Sequence, residues 1–231
     1  MLLLAIDTAA TTSVAIVRAP DAVLAEHTTT STTDHAEQLS GAVAAVLDQA
    51  AITPEQLSAV IVGVGPGPFT GLRVGMVAAA AYAYGWDKPC HGVMSLDGLA
   101  LPAASTLTTD TEFLVAADAR RREVYWAHYR TATEPGVHPH LLTGPAVGAA
   151  AELPAELRAL PAFGPGVQLY PQAFTTPHKA EVNKHGAAAY LGLRAATQLA
   201  QTPEQLLPLV PLYLRESDAK LPADKKWARN V

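Results

Sequence analysis

The 231-residue chain has a single cysteine, Cys90, which rules out an internal disulfide and a zinc site built on several thiolates, and fits a reducing compartment. Long apolar runs are also missing. The longest uncharged apolar stretch, Val74 to Trp86, has thirteen residues, short of the roughly 18–20 that a membrane span needs. Met1 to Ile6 is too short for the apolar core of a signal peptide, carries no basic segment and ends at Asp7. These absences predict a cytoplasmic chain with no membrane contact. Positive charge is not in excess: 16 Lys and Arg face 21 Asp and Glu, and the net charge of −5 is a poor footprint for gripping nucleic acid alone. Two local basic clusters, Arg120-Arg121-Arg122 and the tail with Lys220, Lys225, Lys226 and Arg229, read either as solvated charge or as anion contacts.

Common catalytic signatures are missing too. No two histidines stand four apart, the spacing that puts two imidazoles on one helix face; His138 and His140 flank Pro139, and His178 and His185 are seven apart, so no metal site is expected. Ser13, Ser40 and Ser95 lack a nucleophile elbow, and Cys90 lies in Lys88-Pro89-Cys90-His91, whose adjacent side chains need not face one another. No catalytic residue is assigned. The loop Gly65-Pro66-Gly67-Pro68-Phe69-Thr70-Gly71-Leu72-Arg73 is no Walker loop, because Leu72 and Arg73 follow Gly71 where Lys-Ser/Thr is required. It is no dinucleotide fingerprint either, since three residues rather than two separate Gly67 from Gly71. Pro66 and Pro68 also remove amide donors from a turn that would otherwise cradle an anion.

What is present is ample core material, 49% hydrophobic residues, in a clear order. Leu2 to Asp7, Ser13 to Arg18 and Val23 to Thr28 read as a three-stranded meander. Asp34 to Ala51 has Leu39, Val43, Val46 and Leu47 at helical spacing, with Thr33 or Asp34 as cap and Ala42, Ala45 and Gln49 on its outward flank. A short turn at Thr53-Pro54-Glu55 precedes the strand Ala59 to Val64, and a helix from Phe69 to Trp86 carries Gly71, Gly75, Ala79 and Ala83 on one stripe. That helix is apolar almost all round, so it is buried on several sides, either inside the chain or against another one. Pro102 to Thr111 reads as a linker. Phe113 to Ala119 and Val124 to Arg130 then read as strands, Gly148 to Leu160 as weak helices, Pro161 to Gly166 as strand and turn, and Gly186 to Ala200 as a helix. Repetition of hairpin, helix and strand predicts an α/β chain of two ribonuclease-H-like lobes, mixed sheets flanked by helices, at 1–105 and a smaller degenerate 106–210, with 211–231 as a C-terminal segment packing back or flexible.

The loop from Gly65 to Arg73 is similar in eight of nine positions to the signature Gly-Pro-Gly-Ser-Phe-Thr-Gly-Leu-Arg of the TsaB (YeaZ) family; Pro68 replaces the serine. Leu4-Ala5-Ile6-Asp7-Thr8-Ala9, Asp118-Ala119-Arg120-Arg121-Arg122-Glu123-Val124-Tyr125 and Pro211-Leu212-Tyr213-Leu214-Arg215 also resemble that family, in the same order. The resemblance implies the actin-like ATPase and sugar-kinase (ASKHA) fold. It also implies a non-catalytic scaffold and activator that pairs with a TsaD-type catalytic paralogue and a TsaE-type ATPase, for transfer of a threonylcarbamoyl group to N6 of adenosine 37 in tRNAs reading codons that begin with A. Contact with tRNA is then indirect, no cofactor is assigned to this chain itself, and ATP with magnesium belongs to the complex.

Asp7-Thr8 ends the first strand where an actin-like phosphotransferase keeps its first phosphate turn, although a carboxylate bonding turn amides is an equal reading. Asp118 and Arg120 hold the equivalent place in the second lobe, and Asp7 and Asp118 are expected to face one cleft. Arg120 fills the space that a glycine leaves open to phosphate in nucleotide-binding relatives. Asp7, Thr8, Asp118 and Arg120 are therefore a vestigial phosphate site, and Gly65, Gly67, Phe69, Thr70, Gly71 and Arg73 the motif loop. The partner surface is expected on the two long helices through His35, Leu39, Val43, Val46, Leu72, Gly75, Met76 and Ala79, with the same face able to form a homodimer in competition. Gly75→Leu is then expected to weaken pairing and spare the fold. The alternative is an independent ATP-dependent phosphotransferase using Asp7, Thr8 and Asp118.

Overall fold

In the computed structural model, residues 1–31, 34–134, 138–178 and 185–215 are described. The N-terminal meander is β1 (Leu2–Asp7), β2 (Ser13–Arg18) and β3 (Ala22–Thr28), followed by α1 (His35–Gln49), β4 (Ala59–Gly63), α2 (Phe69–Gly85), β5 (Cys90–Val93) and α3 (Asp97–Ala104). Then come β6 (Glu112–Asp118), β7 (Glu123–Arg130), β8 (His140–Ala149), α4 (Ala155–Ala159), β9 (Pro161–Phe163), α5 (Pro165–Leu169), β10 (Thr176–Pro177) and α6 (Ala187–Gln201).

These strands make two five-stranded sheets of order β3-β2-β1-β4-β5 and β8-β7-β6-β9-β10. In each, a central strand pairs antiparallel with the hairpin that follows it and parallel with the next crossover strand. The same topology is thus built twice, which is the ASKHA architecture of two ribonuclease-H-like lobes. Asp7 and Asp118 are the last residues of the two equivalent central strands.

Burial on both faces explains why the central strands are nearly continuous apolar runs. In β1, Leu4 and Ile6 join Val14, Ile16, Val60 and Val62 beneath α1 and α2, while Leu3 and Ala5 join Ala15, Val17, Ala59 and Ile61 beneath α6. Helix α6 lies in the second half of the sequence, yet its Ala188, Leu191 and Ala195 close the first sheet. Gly192 permits that approach, because a Cβ there would sit 2.7 Å from Val17 Cγ2 and 3.1 Å from Ala5 Cβ. The start of α6 is held by groups from the first lobe: Ala188 N donates to Ser13 Oγ (3.1 Å) and Gly186 N to Glu26 Oε2 (2.9 Å), a favourable place for negative charge at a helix N-terminus.

The sequence expectations need correcting in four places. Pro102 lies inside α3 rather than opening a linker, and its missing amide removes one rung of that short helix's ladder. Gly148 and Ala149 end a ten-residue edge strand, β8, and helical turns begin only at Ala150. The strand β5 was not expected. Asp34 is the N-cap of α1 without a side-chain capping bond, its carboxylate accepting from Ser31 Oγ (3.1 Å), while Thr33 is outside the described residues. Among the described residues, no helix is long and apolar enough to cross a membrane.

Candidate functional site between the lobes

A cavity of about 440 Å³ opens where the C-terminal ends of β1 and β6 meet, and both Asp7 and Asp118 line it, as duplication predicts. Asp7 is buried and is held by neighbours from two segments, its own turn and the loop after β5. Ser95 Oγ donates to Asp7 Oδ1 (2.8 Å), and the backbone amides of Ala9 and Thr8 also point at the carboxylate. Burial pushes the Asp7 carboxyl up to about 6, and these hydrogen bonds oppose the rise. Gly63 makes the room, since a Cβ there would lie 1.9 Å from Asp7 Oδ1. The amide-bonding and cleft-facing readings of Asp7 therefore both hold. Ser95, dismissed as a nucleophile, couples Asp7 to the motif loop: Gly65 N donates to Ser95 Oγ (3.1 Å) and Ser95 N to Gly65 O (2.7 Å). No spacing in the sequence signals that link.

Across the cleft, Asp118 Oδ1 accepts from Arg120 N (2.7 Å), and the Arg120 guanidinium lies 3.6 Å from Asp118 Oδ2. Arg120, Arg121 and Arg122 all have positive φ, 62°, 55° and 66°, so this β6–β7 turn runs left-handed through three side-chain-bearing residues. The Arg120 side chain stands beside the carboxylate where a glycine would leave open space. The rest of the cleft is mostly apolar, with Pro66, Pro68, Leu96, Leu99 and Leu169 on its walls.

Thr8 departs from expectation. It is 1% exposed, does not line the cavity, and its Oγ1 donates to Gly71 O (2.7 Å), so its hydroxyl is turned into the fold rather than toward a phosphate. The motif glycines explain why. A Cβ on Gly67 would lie 3.0 Å from Ala9 Cβ, one on Gly71 2.5 Å from Thr8 O, and one on Gly75 2.2 Å from Thr8 Oγ1. Gly71 and Gly75, four apart in α2, leave a bare stripe against Thr8, and Gly67 just before the helix leaves the same room for Ala9. His35 is buried beside the same contact, its Nδ1 2.9 Å from Thr12 Oγ1. Pro68 is the N-cap of α2 and makes no side-chain cap.

The remaining motif residues meet the end of the described chain. Arg73 Nε donates to Tyr213 Oη (2.9 Å), its guanidinium lies 5.8 Å and 5.7 Å from the Phe69 and Tyr213 ring centroids, and those two rings are 4.5 Å apart. Leu212 N donates to Val64 O (2.8 Å). Three residues on, Arg215 donates to Ala119 O (3.1 Å) and pairs with Glu123 in the second lobe. Residues 211–215 thus strap the first lobe to the second. Lys220, Lys225, Lys226 and Arg229 lie outside the described residues.

The expected partner-facing side chains are instead core. Leu39, Val43, Val46, Leu72, Met76 and Ala79 are between 0% and 7% exposed, Gly75 faces Thr8, and Ala42 is buried as well. An all-round apolar helix gives no cue to which side faces in. The outward face of α2 carries Arg73, Val77, Ala81 and Tyr84, with Val77 69% and Tyr84 91% exposed, and Gly41 and Ala44 are exposed on α1.

The histidines are dispersed: His138 Nε2 is 2.8 Å from Thr197 Oγ1, His178 stacks on Phe163 at 4.5 Å, and His185 Nδ1 is 2.9 Å from Glu26 Oε1. Among the described residues no three His, Cys, Asp or Glu gather as a metal site. Cys90 is half-buried, and burial pushes its thiol up to about 11.

The family model described as TsaD, tRNA N6-adenosine threonylcarbamoyltransferase, matches residues 22–154, more than half of the chain. An uncharacterized protein of Mycobacterium tuberculosis is 43% identical over 220 residues, covering 94% of this chain and 93% of that one. The tRNA threonylcarbamoyladenosine biosynthesis protein TsaB of Bacillus subtilis is 36% identical over 131 residues, 56% of each chain. The solved structure of YeaZ from Pseudomonas aeruginosa superposes with a TM-score of 0.74 at 26% identity, over 92% of this chain and 99% of that one.

Proposed function

Because this chain belongs to the TsaB (YeaZ) family, within the wider group described by the TsaD-type model, we propose that it takes part in tRNA threonylcarbamoyladenosine formation as a non-catalytic scaffold and activator. It pairs with a TsaD-type paralogue, which carries the chemistry, and works with a TsaE-type ATPase; tRNA contact runs through the complex. The observation that carries this reading is the outer face of α1 and α2. Tyr84 and Val77 stand in solvent on α2 together with Ala81, and α1 exposes the small residues Gly41 and Ala44, side chains that permit close helix approach by a second chain. The exposed face, not the buried one, is the docking surface of this proposal, and it is equally open to a second copy of the chain.

The cleft favours a supporting role over independent phosphotransfer. Thr8 is consumed by its bond to Gly71, Arg120 occupies the second turn, and two carboxylates face a largely apolar space. The test is to mix the purified chain with the TsaD-type paralogue of the same organism and measure mass by size-exclusion chromatography with light scattering. A one-to-one heterodimer, lost on Val77→Glu while the circular dichroism of the variant is unchanged, supports the reading. Two unassociated species overturn it.

A further inference from the structure

The turn between β6 and β7 is built from residues that disfavour its shape. Ala119 N donates to Glu123 O and Glu123 N to Arg120 O, both at 3.0 Å, so residues 120–123 form a closed hairpin turn with Arg121 and Arg122 at its centre. Both central residues have positive φ, an arrangement for which hairpins ordinarily use Asn-Gly or Asp-Gly, and Arg120 before them shares it. A Cβ makes left-handed backbone unfavourable, so three successive arginines oppose folding where a glycine would relieve it. Burial does not offset this, because Arg120, Arg121 and Arg122 are all exposed. A local sequence that works against its own fold is the mark of a position kept for function.

The charge of this turn is opposite to that of the chain. The protein carries a net −5, yet the turn gathers four guanidinium groups, since Arg215 of the strap donates to Ala119 O (3.1 Å). Two carboxylates stand with them: Asp118 is 3.6 Å from Arg120, and Glu123 pairs with Arg215. Arg122 makes no ion pair among the described residues. An exposed excess of positive charge is left at the tip, in the form of guanidinium forks that match phosphate oxygens bidentately. We propose that the Arg121-Arg122 turn binds the phosphodiester backbone of RNA. This rests on the reading in which the chain joins a tRNA-modifying assembly, and adds to it a direct contact from this subunit. The strap ties the turn to the docking side, because Tyr213, two residues before Arg215, meets Arg73 on the outward face of α2. With a net charge of −5 the contact is too weak to hold RNA alone at physiological salt and works beside those of the partner.

The experiment combines Arg121→Asn with Arg122→Gly, the pair that such a turn favours, and leaves Arg120 in place. Binding of tRNA to the assembly with the TsaD-type paralogue is followed by fluorescence anisotropy over a series of salt concentrations. The expected result is about tenfold weaker binding at physiological salt and a slope of log affinity on log salt lowered by about 1–2, with the mass of the assembly unchanged. The same double variant is expected to melt about 2–4 °C higher, because its left-handed positions are relieved. Arg121→Lys with Arg122→Lys keeps the charge and is expected to keep the slope. A second titration, of the isolated chain with an anticodon stem-loop RNA at low salt, reads backbone amide shifts at residues 120–123 and needs no partner, so failure of pairing and failure of the RNA contact are told apart. Where the assembly forms, unchanged tRNA affinity and salt slope in the first variant overturn the proposal; where it does not, the absence of RNA-induced shifts at residues 120–123 does. A response of those residues to vesicles of anionic lipid but not to RNA overturns it as well.

Discussion

Gly75 and Thr8 leave no space between them: a Cβ at position 75 would stand 2.2 Å from Thr8 Oγ1. That hydroxyl is itself bonded to Gly71 O, so it cannot swing aside without leaving a buried group unpaired. The expectation that Gly75→Leu spares the fold is therefore reversed. Gly75→Ala is expected to add about 1–3 kcal/mol of overpacking strain, against about 1 kcal/mol of helix propensity gained, and Gly75→Leu to prevent stable folding. Thermal unfolding followed by circular dichroism checks this; a Gly75→Ala midpoint above that of the wild type, or a Gly75→Leu variant that folds with an unchanged midpoint, would refute it.

The Arg73–Tyr213 contact predicts a local effect rather than a global one. Tyr213→Ala removes one hydrogen bond and the ring packed at a tilt against Phe69, a loss of about 1–2 kcal/mol at this partly exposed site. Hydrogen exchange should quicken at the Leu212 amide, which bonds Val64 O, while amides in β1 and β4 keep their protection. Uniform loss of protection would mean that the strap is part of the global fold.

Asp7 sets a pH dependence of defined sign. Its carboxyl is raised from an ordinary value near 3.8 to about 6, so the folded state binds its proton more tightly than the unfolded state does. Its contribution favours folding below about pH 4 and is lost as pH rises through 6, about 3 kcal/mol in all. Asp97 is shifted in the same direction by burial. His138 works the other way: burial, then Arg194, lowers it to about 4, so its share of stability is present above about 6.5 and lost as pH falls toward 4. Urea unfolding of wild type and Asp7→Asn at pH 4 and pH 7.5 separates them. The difference between the two proteins should shift in favour of the variant as pH rises; a pH-independent difference would contradict the assignment.

Magnesium ATP is expected to bind the isolated chain only in the millimolar range or not at all, with no turnover. Among the described residues lining the cleft, Arg120 is the one Lys or Arg, and it is already beside Asp118. Calorimetry showing micromolar binding together with hydrolysis would restore the independent phosphotransferase.

How much the sequence reveals depends on burial. Strands β1, β2, β4 and β6 are legible because covering on both faces demands unbroken apolar runs such as Val60-Ile61-Val62. The pairing of Asp7 with Asp118 is legible because it follows from duplicated topology. Strand β5 is a four-residue Cys-His-Gly-Val with no periodicity to read, and β8 is an edge strand with mostly exposed residues at its start. Which side of α2 faces inward is hidden for another reason. Alanine and glycine occupy both faces, and only the position of the Thr8 turn decides between them. Ser95 in the cleft and the meeting of Arg73 with Tyr213 are contacts across 88 and 140 residues, which local pattern does not encode.

The covering of the first sheet by α6 has a consequence for the order in which the protein is made. Strands β1, β2 and β4 leave the ribosome early, but the face formed by Leu3, Ala5, Ala15, Val17 and Ile61 has no cover until residues 187–201 follow. At elongation rates of about 5–20 residues per second that interval lasts roughly 5–20 s for about a hundred residues beyond α3. Through it the nascent first lobe carries a bare apolar sheet face, and the chain reaches its finished state only when its late segments arrive to close what its first segments began.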